Sequence, residues 1–282
     1  MNAPVTTATL SNRPIALRTA GHSHGPITRL ISPGDVGELV KPFVFLDLFK
    51  VSPANFRGFP MHPHSGIATL TWVLGGSGVY EDTTGKSGLL PAGGMEWMQA
   101  GGGVWHTGHP IGEIPFEGFQ LWVALPPELE NADARSTYLS PEHIPQAGPV
   151  KVLLGEYHGL SSIVPPPSAM NYLAVELQDG EEWSYQPPAG HDVAWLAVAR
   201  GELEAAKTIG RGELAVFADG NEAIRVRAKG TTSFVVGFAA KHPYPLVLGN
   251  YSVHTSTDAL YRGEANIRRI GAELAVQGKL SS

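Results

Sequence analysis

The sequence predicts an all-β protein: two halves of short strands, each closing as a barrel, followed by a short C-terminal helix. Three observations carry this. The chain scatters 34 glycines and 23 prolines over 282 residues without clustering them, as many turns between short strands require. Apolar, β-branched runs recur between those turns. After Ser256 the pattern changes to helical spacing.

Taken in order, residues 1–10 are small and polar and are expected to be disordered. Residues 42–49 read as a buried strand, and residues 66–74 as a second that stops at Gly75-Gly76. Residues 78–82 enter a tight hairpin through Gly85. Residues 91–94 form a turn, and residues 95–100 lead into Gly101-Gly102-Gly103. Residues 118–125 complete the first half. The polar, proline-bearing stretch 126–149 reads as the connection between halves, with Glu128-Leu129-Glu130 a solvated part of it. A second series of strands is expected at 150–155, 172–177, 193–198, 213–217, 223–228 and 232–239. The helix follows, with Ser256 or Thr257 as its cap. The boundaries are therefore 11–135 for the first barrel, 150–255 for the second and 256–282 for the helix and tail.

The chain is 43% hydrophobic and 16% charged, with a net charge of −6. That composition suits a packed globular protein and gives no basic excess for direct nucleic-acid binding. No cysteine is present, which excludes disulfides, thiolate ligands and a thiol nucleophile. The sequence shows neither a secretory signal nor an apolar run of membrane-spanning length, so a cytoplasmic protein without a membrane partner is expected.

The chemistry-bearing feature is His62-Pro63-His64 with His106 behind the glycine turn. Residues i and i+2 of a strand share a face, so His62 and His64 aim together, and a return strand brings in His106. Neutral imidazoles suit iron, copper, zinc or nickel rather than magnesium or calcium. By contrast, His22 and His24 lack a third partner. His143, His158, His191, His242 and His254 are isolated and read as surface or hydrogen-bonded residues. Trp72, Trp97, Trp105 and Trp122 read as barrel core, with Trp105 packing outside any metal pocket because its parity opposes that of His106. Phe45, Leu46 and Met98 read as core in preference to cavity wall. The serines beside histidines have no paired acid in sequence, so a hydrolytic triad has no support.

His62-Pro63-His64-Ser65-Gly66, Glu96-Trp97-Met98-Gln99-Ala100-Gly101 and Gly103-Val104-Trp105-His106 together resemble the pirin family. The similarity continues through residues 42–47, 118–123 and 249–253. The resemblance implies a bicupin, two cupin-type β-barrels with one metal in the first and none in the second. It places the metal ligands on His62, His64 and His106. It also implies one divalent transition metal, iron(II) first, with zinc, nickel, copper or manganese as alternatives. The activity implied is a dioxygenase of the quercetin 2,3-dioxygenase type acting on a small bidentate oxygen ligand. The alternative is a non-enzymatic metal- or redox-sensing regulator working through a protein partner.

Two positions depart from the family pattern. A glutamate expected two residues after the third histidine is Gly108, and another expected four residues after the second is Ala68. The carboxylate that would complete the ligand set and serve as base is therefore missing, which weakens turnover more than metal binding. His109, Glu113 or water are the candidates to replace it. His109 has the wrong parity unless a bulge falls at Gly108. Glu96, where the family tends to have an amide, reads as a solvated edge residue in preference to a buried acid near the site.

Overall fold

A computed structural model describes residues 12–280; the disorder expected of residues 1–10 lies outside that range. The protein is all-β, two cupin-type barrels with a C-terminal helix. The first half contributes a seven-stranded antiparallel sheet. Its strands run in the order Arg135–Leu139, Met95–Gln99, Ile67–Gly75, Phe116–Ala124, Phe43–Val51, Ile27–Ile31 and His22–His24. A four-stranded sheet faces it, in the order Phe59–His64, Val104–Ile111, Ser77–Asp82 and Ser87–Pro91. The second half is one nine-stranded sheet centred on Val193–Glu204 and Ile224–Ala239.

The strands of the large sheets are apolar along most of their length because both faces are covered. In the first half Leu46, Leu48, Leu70, Trp72, Met95, Trp97, Phe119 and Leu121 share one face. They pack on Tyr172, Val193, Trp195, Ala197 and Val216 of the second half, so a single core joins the barrels back to back. Phe43 meets Trp195 edge-on at 5.3 Å in that seam. The alternate residues turn inward. In the second half these are apolar and aromatic, among them Trp183, Tyr185, Phe234 and Phe238, and they fill its interior. In the first half the inward set includes Phe45, Asp47, Thr71, Glu96, Gln120 and Trp122, which surround a cavity. Leu46 and Met98 are core, as expected, whereas Phe45 and Trp122 are cavity wall.

Two boundaries differ from the sequence reading. The strand Ile15–Thr19 does not join the first barrel; it pairs with Leu214–Phe217 at the edge of the second half's sheet. Arg135–Leu139, expected in or next to the connection, pairs with Met95–Gln99 inside the first barrel. Both strands lie at sheet edges and are only partly buried, so neither has the apolar run of a central strand. Glu130 is no solvated linker residue either, since it is only 3% exposed.

The helix Thr257–Val276 starts at Ser256, whose hydroxyl accepts from the Ala259 amide at 3.3 Å. It crosses back to the first barrel, where Trp105 Nε1 donates to the Ile267 carbonyl at 2.8 Å and Asn266 Nδ2 donates to that of Gly102. Trp105 thus lies outside the cavity, as its parity requires. Among the described residues no helix is long and apolar enough to cross a membrane.

Candidate metal centre

His62 and His64 lie on Phe59–His64, and His106 on the neighbouring strand Val104–Ile111 directly opposite His62. The i, i+2 spacing and this register bring the three rings onto one face. Their centroids are 5.0, 4.3 and 5.1 Å apart, and one ligand atom from each lies within 4.8 Å of the others. His62 Nε2 and His106 Nε2 are 3.0 Å apart.

Each Nδ1 is held from behind. His62 Nδ1 donates to the Pro60 carbonyl at 2.8 Å, and His64 Nδ1 to the Tyr251 carbonyl at 3.1 Å. His106 Nδ1 faces Glu96 Oε1 at 3.5 Å. Such outer contacts fix the tautomer and leave Nε2 for a ligand. Burial, reinforced by His106, holds His62 down at about 4. Burial also holds His64 well below its ordinary value. Both rings are therefore neutral, the form a metal requires. Three converging imidazoles can hold one divalent transition-metal ion with open positions.

The centre opens into a mostly apolar cavity of about 450 Å³. One wall is a stacked series: Trp122 lies edge-on to His64 at 4.8 Å and stacks on Phe45 at 4.0 Å, and Arg29 lies 3.8 Å over the Phe45 ring. Arg29 makes a two-pronged ion pair with Asp47. Burial still pushes the Asp47 carboxyl up despite that partner.

Gly108 lies on the cavity wall. The register does shift between His106 and Gly108, but the additional residue belongs to the strand Phe59–His64. On its other side Gly108 pairs regularly with Tyr80, and His109 with Val79. His109 borders the same cavity, although it is exposed and stands outside the histidine cluster. Glu113 is exposed and outside it too.

Glu96 corrects the sequence reading, being 6% exposed and on the cavity wall beside His106. Thr71 Oγ1 donates to its Oε2 at 2.6 Å. Tyr138, whose hydroxyl donates to Asp82 at 2.9 Å, lies 3.3 Å from its Oε1. Burial alone would raise this carboxyl; the contacts to His106, Thr71 and Tyr138 outweigh it and hold it below its ordinary value.

A second correction concerns Ser65, beside His64. Ser65 Oγ lies 3.0 Å from His254 Nε2, and His254 Nδ1 lies 3.2 Å from Glu130 Oε2. The acid that sequence could not supply comes from residue 130, and the histidine from residue 254. The arrangement has a triad's connectivity but no route to it. Ser65, His254 and Glu130 are 0%, 1% and 3% exposed, and Ser65 also bonds Ser252 at 2.8 Å. Glu130 further accepts from the Thr255 amide and hydroxyl. The network clamps the segment around Tyr251, whose carbonyl holds His64, onto the first barrel.

Residues 26–123 match the model of the Pirin family. A pirin-like protein of Caulobacter vibrioides is 30% identical over 223 residues, covering 73% of this chain and 76% of its own length. The chain belongs to the pirin family. A Pseudomonas aeruginosa pirin relative, provisionally named a quercetin 2,3-dioxygenase, is 36% identical over 190 residues. That match covers 63% of this chain and 66% of the relative, just under two thirds of its length. A solved quercetin 2,3-dioxygenase of Acinetobacter baumannii shares the pirin chain's fold with a TM-score of 0.83. It is 22% identical, over 92% of this chain and 98% of its own. A bacterial pirin of Escherichia coli, solved with nickel(II), has a TM-score of 0.61 at 19% identity, over 82% and 98% of the two chains.

Proposed function

We propose that this pirin holds one divalent transition metal, iron(II) in the working protein, on His62, His64 and His106. On this reading it acts as a dioxygenase of the quercetin 2,3-dioxygenase type on a planar aromatic ligand with two adjacent oxygens. The observation that carries the reading is the convergence of three back-braced imidazoles on an aromatic-walled cavity. The names of the relatives and the nickel(II) in the Escherichia coli pirin support it.

When bound on His62, His64 and His106, the metal would supply Lewis-acid and redox chemistry. The chain's own part is binding and orientation. Trp122 and Phe45 offer flat faces that align a planar ring with the open side of the centre. The apolar wall excludes water. The Arg29–Asp47 pair offers hydrogen-bonding groups to a polar end of the ligand.

Gly108 supports a second reading, a non-enzymatic metal- or redox-sensing protein that acts through a protein partner. Glycine at that position leaves the centre without the carboxylate that the family pattern puts there to take the proton of a chelating hydroxyl. Elemental analysis of untagged protein comes first. A stoichiometric metal that is lost on His62→Ala supports the centre, and its absence from the wild type points to a barrel that has lost its metal. Oxygen uptake by iron-loaded protein with quercetin then separates the two readings. No uptake by the wild type or by Gly108→Glu removes flavonols as substrates.

A further inference from the structure

Imidazole ligands carry no negative charge, so three of them would leave a divalent ion with its whole charge inside a mostly apolar cavity, an arrangement that burial penalises unless an anion stands near. His62 and His64 are backed only by neutral carbonyls, those of Pro60 and Tyr251. His106 alone is backed by a carboxylate, that of Glu96. Arg29 and Asp47 neutralise each other. Glu96 is also built in: its oxygens are placed by Thr71 and Tyr138, and its neighbours Met95 and Trp97 are locked in the seam between barrels.

We propose that Glu96 is a positioning residue that supplies the centre's negative charge through His106, orienting that imidazole and raising its donor strength. The proposal rests on the reading that the triad holds a metal. It explains how a site with glycine at position 108 retains an anionic partner. It also predicts that the charge is transferable. Gly108 is on the same strand and cavity wall as His106, and a Cβ there would meet only the Val79 carbonyl, at 3.4 Å. A side chain can therefore start from position 108 without a clash at its Cβ.

The test uses the full chain, untagged and stripped of metal, titrated with cobalt(II) while the visible absorption of the bound ion is followed. Glu96→Gln keeps the size and an acceptor oxygen but removes the charge. It should weaken cobalt binding about 10- to 100-fold, as loss of outer partners of metal ligands does, and shift the bound-ion spectrum. Adding Gly108→Glu to Glu96→Gln should restore most of the affinity. Thr71→Val, which frees one carboxylate oxygen, should weaken binding several-fold and serves if Glu96→Gln does not fold. A purely structural Glu96 would lower the melting temperature of the metal-free protein and leave cobalt affinity within twofold, and that result overturns the proposal. Failure of the wild type to bind cobalt overturns instead the metal centre on which it rests.

Discussion

Replacing Gly263 by alanine tests whether the C-terminal helix is seated on the buried Ser65–His254–Glu130 network. In an exposed helix this change is favourable by about 1 kcal/mol, because alanine loses less backbone entropy. Here a Cβ would lie 2.6 Å from both Ser65 Oγ and His254 Nε2, two atoms that are themselves hydrogen-bonded at 3.0 Å. Overpacking of this kind costs about 1–3 kcal/mol. Parting the buried hydroxyl from the imidazole adds about 1–3 kcal/mol. The contacts therefore outweigh propensity, for a net loss of about 1–5 kcal/mol. Thermal melting should show it as a fall of about 2–4 °C per kcal/mol. A cycle with Ser65→Ala identifies the cause: removing Oγ relieves one of the two clashes, so the alanine should cost at least about 0.5 kcal/mol less in that background. A Gly263→Ala protein more stable than wild type, or an equal cost in both backgrounds, would refute the reasoning.

Two further outcomes are expected from the same structure. Trp122→Leu removes the ring stacked on Phe45. It should weaken binding of a planar aromatic to the metal-loaded protein by about 0.5–1.5 kcal/mol, roughly two- to tenfold in Kd by fluorescence titration; unchanged affinity would mean that the ligand does not use this wall. His242 is buried, and burial, aided by Lys41 and opposed by Glu130, pushes it from its ordinary 6.5 down to about 4. The folded chain thus binds fewer protons here than the unfolded one, so stability is lost as pH falls from about 6.5 toward about 4. His242→Gln removes that contribution. Its urea midpoint should gain on the wild type between pH 7.5 and pH 5, and a constant gap would count against a buried neutral His242.

Much of the architecture is legible in the one-dimensional pattern. The central strands, the hairpin after Asp82, the glycine turn before His106 and the cap at Ser256 are local features, set by β-branching, turn chemistry and hydrogen-bonding side chains. The histidine constellation was readable for the same reason: the i, i+2 pair needs only strand parity, and the family resemblance supplied the third member. Part of the Glu96 signal was there as well. In Met95-Glu96-Trp97 the acid alternates with two large apolar residues, so once Met95 and Trp97 face the seam, Glu96 must face inward. Asp47 and Gln120 interrupt apolar strands in the same way. That reading requires knowing that both faces are buried, which a single strand does not reveal.

Sequence by itself therefore determined the strands, the helix and the shared face of His62 and His64, all of which follow from interactions within a few residues. Tertiary structure alone decided which strand joins which barrel, that Glu130 and His254 meet at Ser65, that Tyr251 braces His64, and that His109 stays out of the histidine cluster. These outcomes depend on pairings between segments as far apart in sequence as Ile15 and Phe217. The energy of such pairings comes from burial and mutual satisfaction of polar groups, and neither exists until the chain has closed on itself.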